Sequence, residues 1–167
     1  MKQIVGVLLL FALCSCVEVG FRNPQPENGR ILDEIPGEMI AFYTQQNKDS
    51  SNDDGGFKLT DLGEGFDNTG TLSDETVLKL WKGKYFLNQK EDSLWYVVMI
   101  VPVKNGAYET YKMDGGNENT VKTLKGITHV EEIYSNDGEL EVVIINPDKS
   151  EFKKIVKSGA FEKIDIF

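Results

Sequence analysis

The run Leu94-Trp95-Tyr96-Val97-Val98-Met99-Ile100-Val101-Pro102-Val103 decides the fold class. Its apolar residues follow one another without the spacing of three and four that an amphipathic helix needs. β-Branched and aromatic side chains dominate it, and Pro102 would break a helix from within. The run is therefore placed centrally in a sheet, with Pro102 near an edge or at the strand's end. Asn105-Gly106 follows as a two-residue hairpin turn leading into a strand from Ala107 to Met113.

Working back toward the N-terminus, Thr76 to Lys82 and Lys84 to Asn88 flank Gly83. Val77, Leu80 and Trp81 also fit a short helix, but their aromatic and β-branched neighbours favour two strands. Met39-Ile40-Ala41-Phe42-Tyr43, after Pro36-Gly37, reads as the first strand of the domain, over 38–44. The polar loop Asn47 to Gly56 then leads to a second strand at 57–61.

In the C-terminal third the chain matches itself at an offset of 31 residues, with Val121, Leu124, Val130, Glu131 and Ile133 falling on Phe152, Ile155, Phe161, Glu162 and Ile164. Each copy reads as a short amphipathic helix and then a strand, with Asn119 or Asp148 near its start and Gly126 or Gly159 near its end. Between them Asn136-Asp137-Gly138 turns the chain into a strand from Glu139 to Asn146. Chance and duplication explain so short a match equally well, and no function is built on it. The expected fold is mainly β, with α+β as the alternative. It is an antiparallel sheet or open barrel carrying two short helices in its C-terminal third, all within one domain over 37–167.

Residues 1–15 read as a leader. Lys2 supplies the positive start, and the ten-residue apolar run Ile4 to Leu13 is too short to span a bilayer, which takes about 20 residues. It ends in Leu13-Cys14-Ser15-Cys16, which resembles the lipobox of bacterial lipoproteins: an aliphatic residue, two small ones, then the cysteine that receives the lipid. Cys16 fits better than Cys14, which would put bulky Leu13 where a small residue is needed. The resemblance implies cleavage before Cys16, lipidation of its thiol, and an address in the cell envelope, on the outer membrane. Both cysteines lie here, so the domain beyond has no thiol for a disulfide, a thiolate metal site or a nucleophile. From 16 to 36, Pro24, Pro26, Pro36, Gly20 and Gly29 suggest a flexible tether, reaching up to about 60 Å if extended.

With 27 acidic and 18 basic residues among 167, the net charge is −9, which argues against nucleic acid as a partner. The chain has no Gly-rich phosphate cradle, no metal-spaced His or Cys set and no serine-hydrolase elbow, so neither cofactor nor metal is expected. His129, the only histidine, falls on a predicted strand between Thr128 and Val130 and lacks a nearby nucleophile. Glu131-Glu132 on a strand would point to opposite faces, whereas glycoside hydrolysis needs two carboxyl groups facing each other about 5 to 9 Å apart. Asp53-Asp54 is a pair that any acidic chain contains. Ser50 to Gly56 partly follows the pattern of a calcium loop, but begins with Ser and has Asp61 where a Glu belongs. The glycines of 63–70 read as turns.

Tyr43, Trp81, Tyr85, Phe86, Trp95, Tyr96, Tyr108 and Tyr111 all fall on predicted strands. Core packing explains such a set; an aromatic-lined face is the functional alternative, with Trp81, Tyr85, Trp95, Tyr96, Tyr108 and Tyr111 as its candidate residues. The leader, Phe21-Arg22-Asn23-Pro24-Gln25-Pro26, Ile35 to Tyr43 and Lys84-Tyr85-Phe86-Leu87-Asn88 together resemble small uncharacterised lipoproteins of the Bacteroidetes. Ile35 to Tyr43 is also similar to the first strand of lipocalin-like domains, although Ala41 does not match their Gly two positions before the aromatic. Asp92-Ser93-Leu94 looks like the O-glycosylation acceptor motif of the same bacteria. The expectation is a membrane-tethered, non-enzymatic binding or interaction module for a small apolar ligand, a glycan or an envelope protein. A structural accessory of an envelope complex is the alternative, and a hydrolase ranks behind both.

Overall fold

The structure is a computed structural model that describes residues 17–50 and 72–164. In chain order its elements are β1 (Glu18–Phe21), β2 (Arg30–Leu32), α1 (Gly37–Ser50), β3 (Thr76–Trp81), β4 (Lys84–Glu91), β5 (Leu94–Pro102), β6 (Tyr108–Lys112), α2 (Glu118–Lys125), β7 (Val130–Tyr134), β8 (Leu140–Ile145), α3 (Lys149–Ser158) and β9 (Glu162–Ile164).

The chain is mainly β, and its strands form a single open sheet in the order β2-β3-β4-β5-β1-β8-β7. β5 is the central strand. One edge pairs with β4 from Tyr85↔Ile100 to Glu91↔Leu94; the other pairs first with β1 and then, from Met99 to Pro102, with β6. Pro102, which has no N–H to give, closes the strand. β6 in turn carries β9, so the sheet branches where β5 changes partner. The other pairings are antiparallel, but β1 and β8 run parallel, which makes the sheet mixed. The strands are joined by the expected turns: Lys82-Gly83, both at positive φ, link β3 to β4, and Gly138 at φ +82° lies in the β7–β8 turn. The predicted two-residue Asn105-Gly106 turn is one residue longer: Lys104–Gly106 forms it, closed by the Val103 amide donating to the Ala107 carbonyl at 2.9 Å, with Asn105 and Gly106 at positive φ.

Two expectations are corrected. The predicted strand 38–44, including the part likened to a lipocalin's first strand, is helical and belongs to α1. Ile35, Met39 and Tyr43 recur at intervals of four and are all buried, Glu38 sits in the first turn, and the amides of Met39 and Ile40 bond to the Pro36 carbonyl. The predicted tether 16–36 is also overturned over its described part. Glu18 to Phe21 is an inner strand held on both sides, with Phe21 0 % exposed, and Arg30 to Leu32 extends the opposite edge. The predicted strand at 57–61 lies outside the described residues.

Alternation along β4 and β5 builds a core on each face of the sheet. Phe86, Val97 and Met99 join Phe21, Val143 and Ile145 beneath α2 and α3, which contribute Val121, Leu124, Phe152 and Ile155. Leu87, Val98 and Ile100 join Leu78 beneath α1, which contributes Met39 and Tyr43. The two late helices are the ones predicted, but α2 is capped by Asn117 rather than Asn119; Asp148 caps α3 in a reciprocal box with Glu151.

Candidate functional site

Between β1 and β2 the chain must cross from the middle of the sheet to its edge, and residues 22–29 make that passage over β4 and β3. They run on the α3 face, because the side chains they meet, Lys79 and Asn88, alternate with Leu78 and Leu87 of the α1 core. The crossover contains the cis peptide Gln25-Pro26.

Backbone groups laid across a sheet face lose water and need partners. Asn88, 0 % exposed, supplies several: its Oδ1 accepts from the Gln25 amide, and its Nδ2 donates to the Gln25 carbonyl at 2.8 Å and to the Phe86 carbonyl at 3.0 Å. Lys79, 5 % exposed, donates through Nζ to the carbonyls of Pro24 at 2.8 Å and Pro26 at 3.1 Å. Burial pushes the Lys79 amine below the usual lysine range, and the nearby Glu27 carboxylate pulls it back upward.

Asn23 Nδ2 donates to Asn146 Oδ1 at 3.1 Å and ties the crossover to the β8–α3 link, and between the two lies a cleft of about 450 Å3, within the range of small-molecule sites. Asn23, Gln25 and Glu27 line it from the crossover, Lys79 from β3, and Asn146 and Asp148 from the link. Asp148 is already engaged, accepting the Ser150 and Glu151 amides of α3. Gln25 is 2 % exposed, and its Nε2 donates to the Asn23 carbonyl at 3.3 Å, but its Oε1 is buried without a hydrogen-bond partner. Turning the amide over would set its oxygen against the Asn23 carbonyl, which favours the placement that leaves Oε1 as the orphan. A buried, unpaired carbonyl costs roughly 1 to 3 kcal/mol, and a group that donates to it would recover that cost.

The six aromatics predicted to share a surface do not do so. Trp81, Trp95 and Tyr111 pack against the core under α2 and α3, while Tyr85 and Tyr108 pack against the core under α1. Tyr96 alternates to the α1 side and pairs opposite Gly20. The alternation that buries β4 and β5 on both faces also divides their aromatics. Tyr43 and Phe86 are core residues.

His129 is exposed just before β7 rather than on it. Glu131 bonds to Arg22 and Glu132 to Lys125, so the two carboxylates are held by different partners and do not converge. Ser93 is exposed in the β4–β5 turn. Cys16, Asp53-Asp54, residues 51–56 of the calcium-like loop, Asp61 and the glycines of 63–70 lie outside the described residues. Among the described residues, no group of three or more His, Cys, Asp or Glu is placed to hold a metal, and no helix is long and apolar enough to cross a membrane.

The chain matches no protein-family profile, no curated protein and no solved structure.

Proposed function

We propose that the protein is a lipid-anchored protein of the cell envelope, held to the outer membrane through Cys16, whose domain is a non-enzymatic binding module. Its ligand is a small hydroxyl-rich molecule of the saccharide class, bound in the cleft between the crossover and α3. The observation that carries this reading is the polar lining of that cleft, with Asn23, Gln25 and Glu27 on one wall, Lys79 on β3 and Asn146 opposite. A hydroxyl both donates and accepts, which suits a wall that offers the Glu27 carboxylate beside donors in Lys79 and Asn23. The polar lining favours a glycan over an apolar ligand.

The test is a titration of the isotope-labelled protein with a panel of mono- and disaccharides, followed by amide chemical shifts. Saturable shifts confined to Asn23, Gln25, Glu27, Lys79, Asn146 and Asp148 are expected. No saturable shift with any sugar, or shifts centred on Tyr85 and Tyr108, would reject the cleft as the site. The anchor is tested separately by the intact mass of protein extracted from membranes with detergent. Diacylglycerol and acyl mass on a chain starting at Cys16 are expected, and both are absent from a Cys16→Ala variant.

A further inference from the structure

β1 begins at Glu18, and Val17 is already tied down: its carbonyl accepts the Gly115 amide at 2.9 Å, and Glu18 bridges to Asp114. A Cβ on Gly115 would sit 3.0 Å from the Val17 side chain and 3.1 Å from its carbonyl oxygen, so the 114–116 turn packs directly on this residue. One trans peptide, about 3.8 Å between Cα atoms, separates Val17 from Cys16. A lipid on Cys16 would thus emerge at the surface of the domain with no spacer.

We infer that this end of the domain, around the groove between α2 and the β7–β8 hairpin, rests on the bilayer that holds the anchor; the inference depends on the proposed lipidation of Cys16. Gly115, Val121, Lys122, Lys125, Tyr134 and Leu140 line the groove, about 560 Å3 in volume. Tyr134 is 55 % exposed at the end of β7. In the parallel register of β1 and β8, Glu18 lies opposite Val142, so Leu140 lies beyond that pair, on the side from which the chain enters β1. A half-exposed tyrosine, an aliphatic side chain and two lysine stems suit the boundary between headgroups and acyl chains, where amphipathic side chains keep one end wet. Charge does not drive the contact, because Glu118 and Glu132 line the same groove as the two lysines and Lys125 is already bonded to Glu132. The anchor does, by holding the face at high effective concentration against the lipid.

The saccharide cleft lies at the other end of the same strand pair, just past Phe21↔Ile145. The four residues of β1 lie between the two ends, roughly 13 Å of strand. Docking at the groove therefore leaves the cleft facing away from the membrane.

The test uses the full lipidated protein in phosphatidylcholine vesicles doped with a headgroup nitroxide lipid. Once the leader is removed and Cys16 acylated, a cysteine introduced by Tyr134→Cys or Asn136→Cys is the only free thiol and takes a fluorophore; Asn28→Cys is the control beside the cleft. Quenching several-fold stronger at 134 and 136 than at 28 is expected, falling to the control level when a ten-residue Gly/Ser spacer is inserted between Cys16 and Val17. Equal quenching at all three positions in protein whose intact mass carries the lipid would overturn the docking and leave the anchor standing. A mass without lipid would overturn both.

Discussion

Asn88 fixes the path of the crossover, because a single side chain answers the amide and the carbonyl of Gln25 in a place water does not reach. Asn88→Ala leaves both groups unpaired, and a loss of about 2 to 4 kcal/mol in urea denaturation is expected. The amide shifts of Asn23, Gln25 and Glu27 should move with it; a loss under about 0.5 kcal/mol would mean that water replaces the side chain. Tyr43 gives a residue-scale effect that depends on pH. Its hydroxyl is bonded to Thr110 Oγ1 at 2.8 Å, and burial pushes its pKa up from 10 to about 12, with Thr110 pulling it down and Tyr108 adding to the rise. Above pH 10 the unfolded chain releases this proton and the folded chain keeps it. The stabilisation is therefore complete below pH 10 and is lost as pH rises through about 12, a change on the order of 2 kcal/mol. Tyr43→Phe should lower stability by about 1 kcal/mol at neutral pH, where buried Thr110 loses its partner, and should fall less steeply than the parent between pH 10 and 12. Parallel pH profiles for the two proteins would reject the assignment. Neither residue was legible in the sequence as a polar anchor. Asn88 closes an apolar segment and Tyr43 looked like one more strand aromatic, because a string of letters does not show what crosses above a strand.

At the scale of elements, β1 separates the sequence reading from the structure most sharply. Pro24, Pro26 and two glycines gave the stretch from 16 to 36 the composition of a linker, yet four residues within it fill the gap between β5 and β8. Phe21 meets Phe152 of α3 with ring centroids 6.2 Å apart. Phe21→Ala should thus cost roughly 3 to 5 kcal/mol, as for any fully buried phenylalanine, whereas in a tether it would cost nothing. Chemical denaturation followed by tryptophan fluorescence decides between the two. What was legible obeyed local rules: β5 from its uninterrupted apolar run, the hairpin turns from Asn-Gly and Asp-Gly pairs, and α3 from Asp148, Glu151 and Gly159. What was missed depended on pairing between distant segments, as in β1, or on choosing between two periodicities. In α1 the β-branched and aromatic run suggested a strand, but spacing by four from Ile35 to Tyr43 decides the packing. The candidate cleft was illegible for the same reason, since its walls come from residues 23–27, 79 and 146–148, three stretches that no local pattern joins.

For the whole molecule, the decisive feature is that β4 and β5 feed both cores from a single sheet. Phe86 and Leu87 are neighbours in the chain, yet one is buried beneath α3 and the other beneath α1. Neither core can dissolve without removing one face of the strands that support the other, so the described fold should melt as one unit even though its helices lie on opposite sides. Met39, 2 % exposed on α1, and Ile155, 0 % exposed on α3, probe the two sides. Each truncation to alanine should cost about 2 to 5 kcal/mol, because each leaves a cavity in a packed layer. The sheet lies between the two sites and they belong to different clusters, so the costs should add to within about 0.5 kcal/mol in the double variant. Trp81 and Trp95 both pack against the α2–α3 core, so their fluorescence follows one face while far-UV circular dichroism follows the whole backbone. Coincident midpoints by the two probes, in the parent and in both single variants, are expected. If the Met39→Ala variant lost helical signal at a lower denaturant concentration than it lost tryptophan signal, α1 would be an independent layer docked on the sheet, and the coupling argued from β4 and β5 would be wrong.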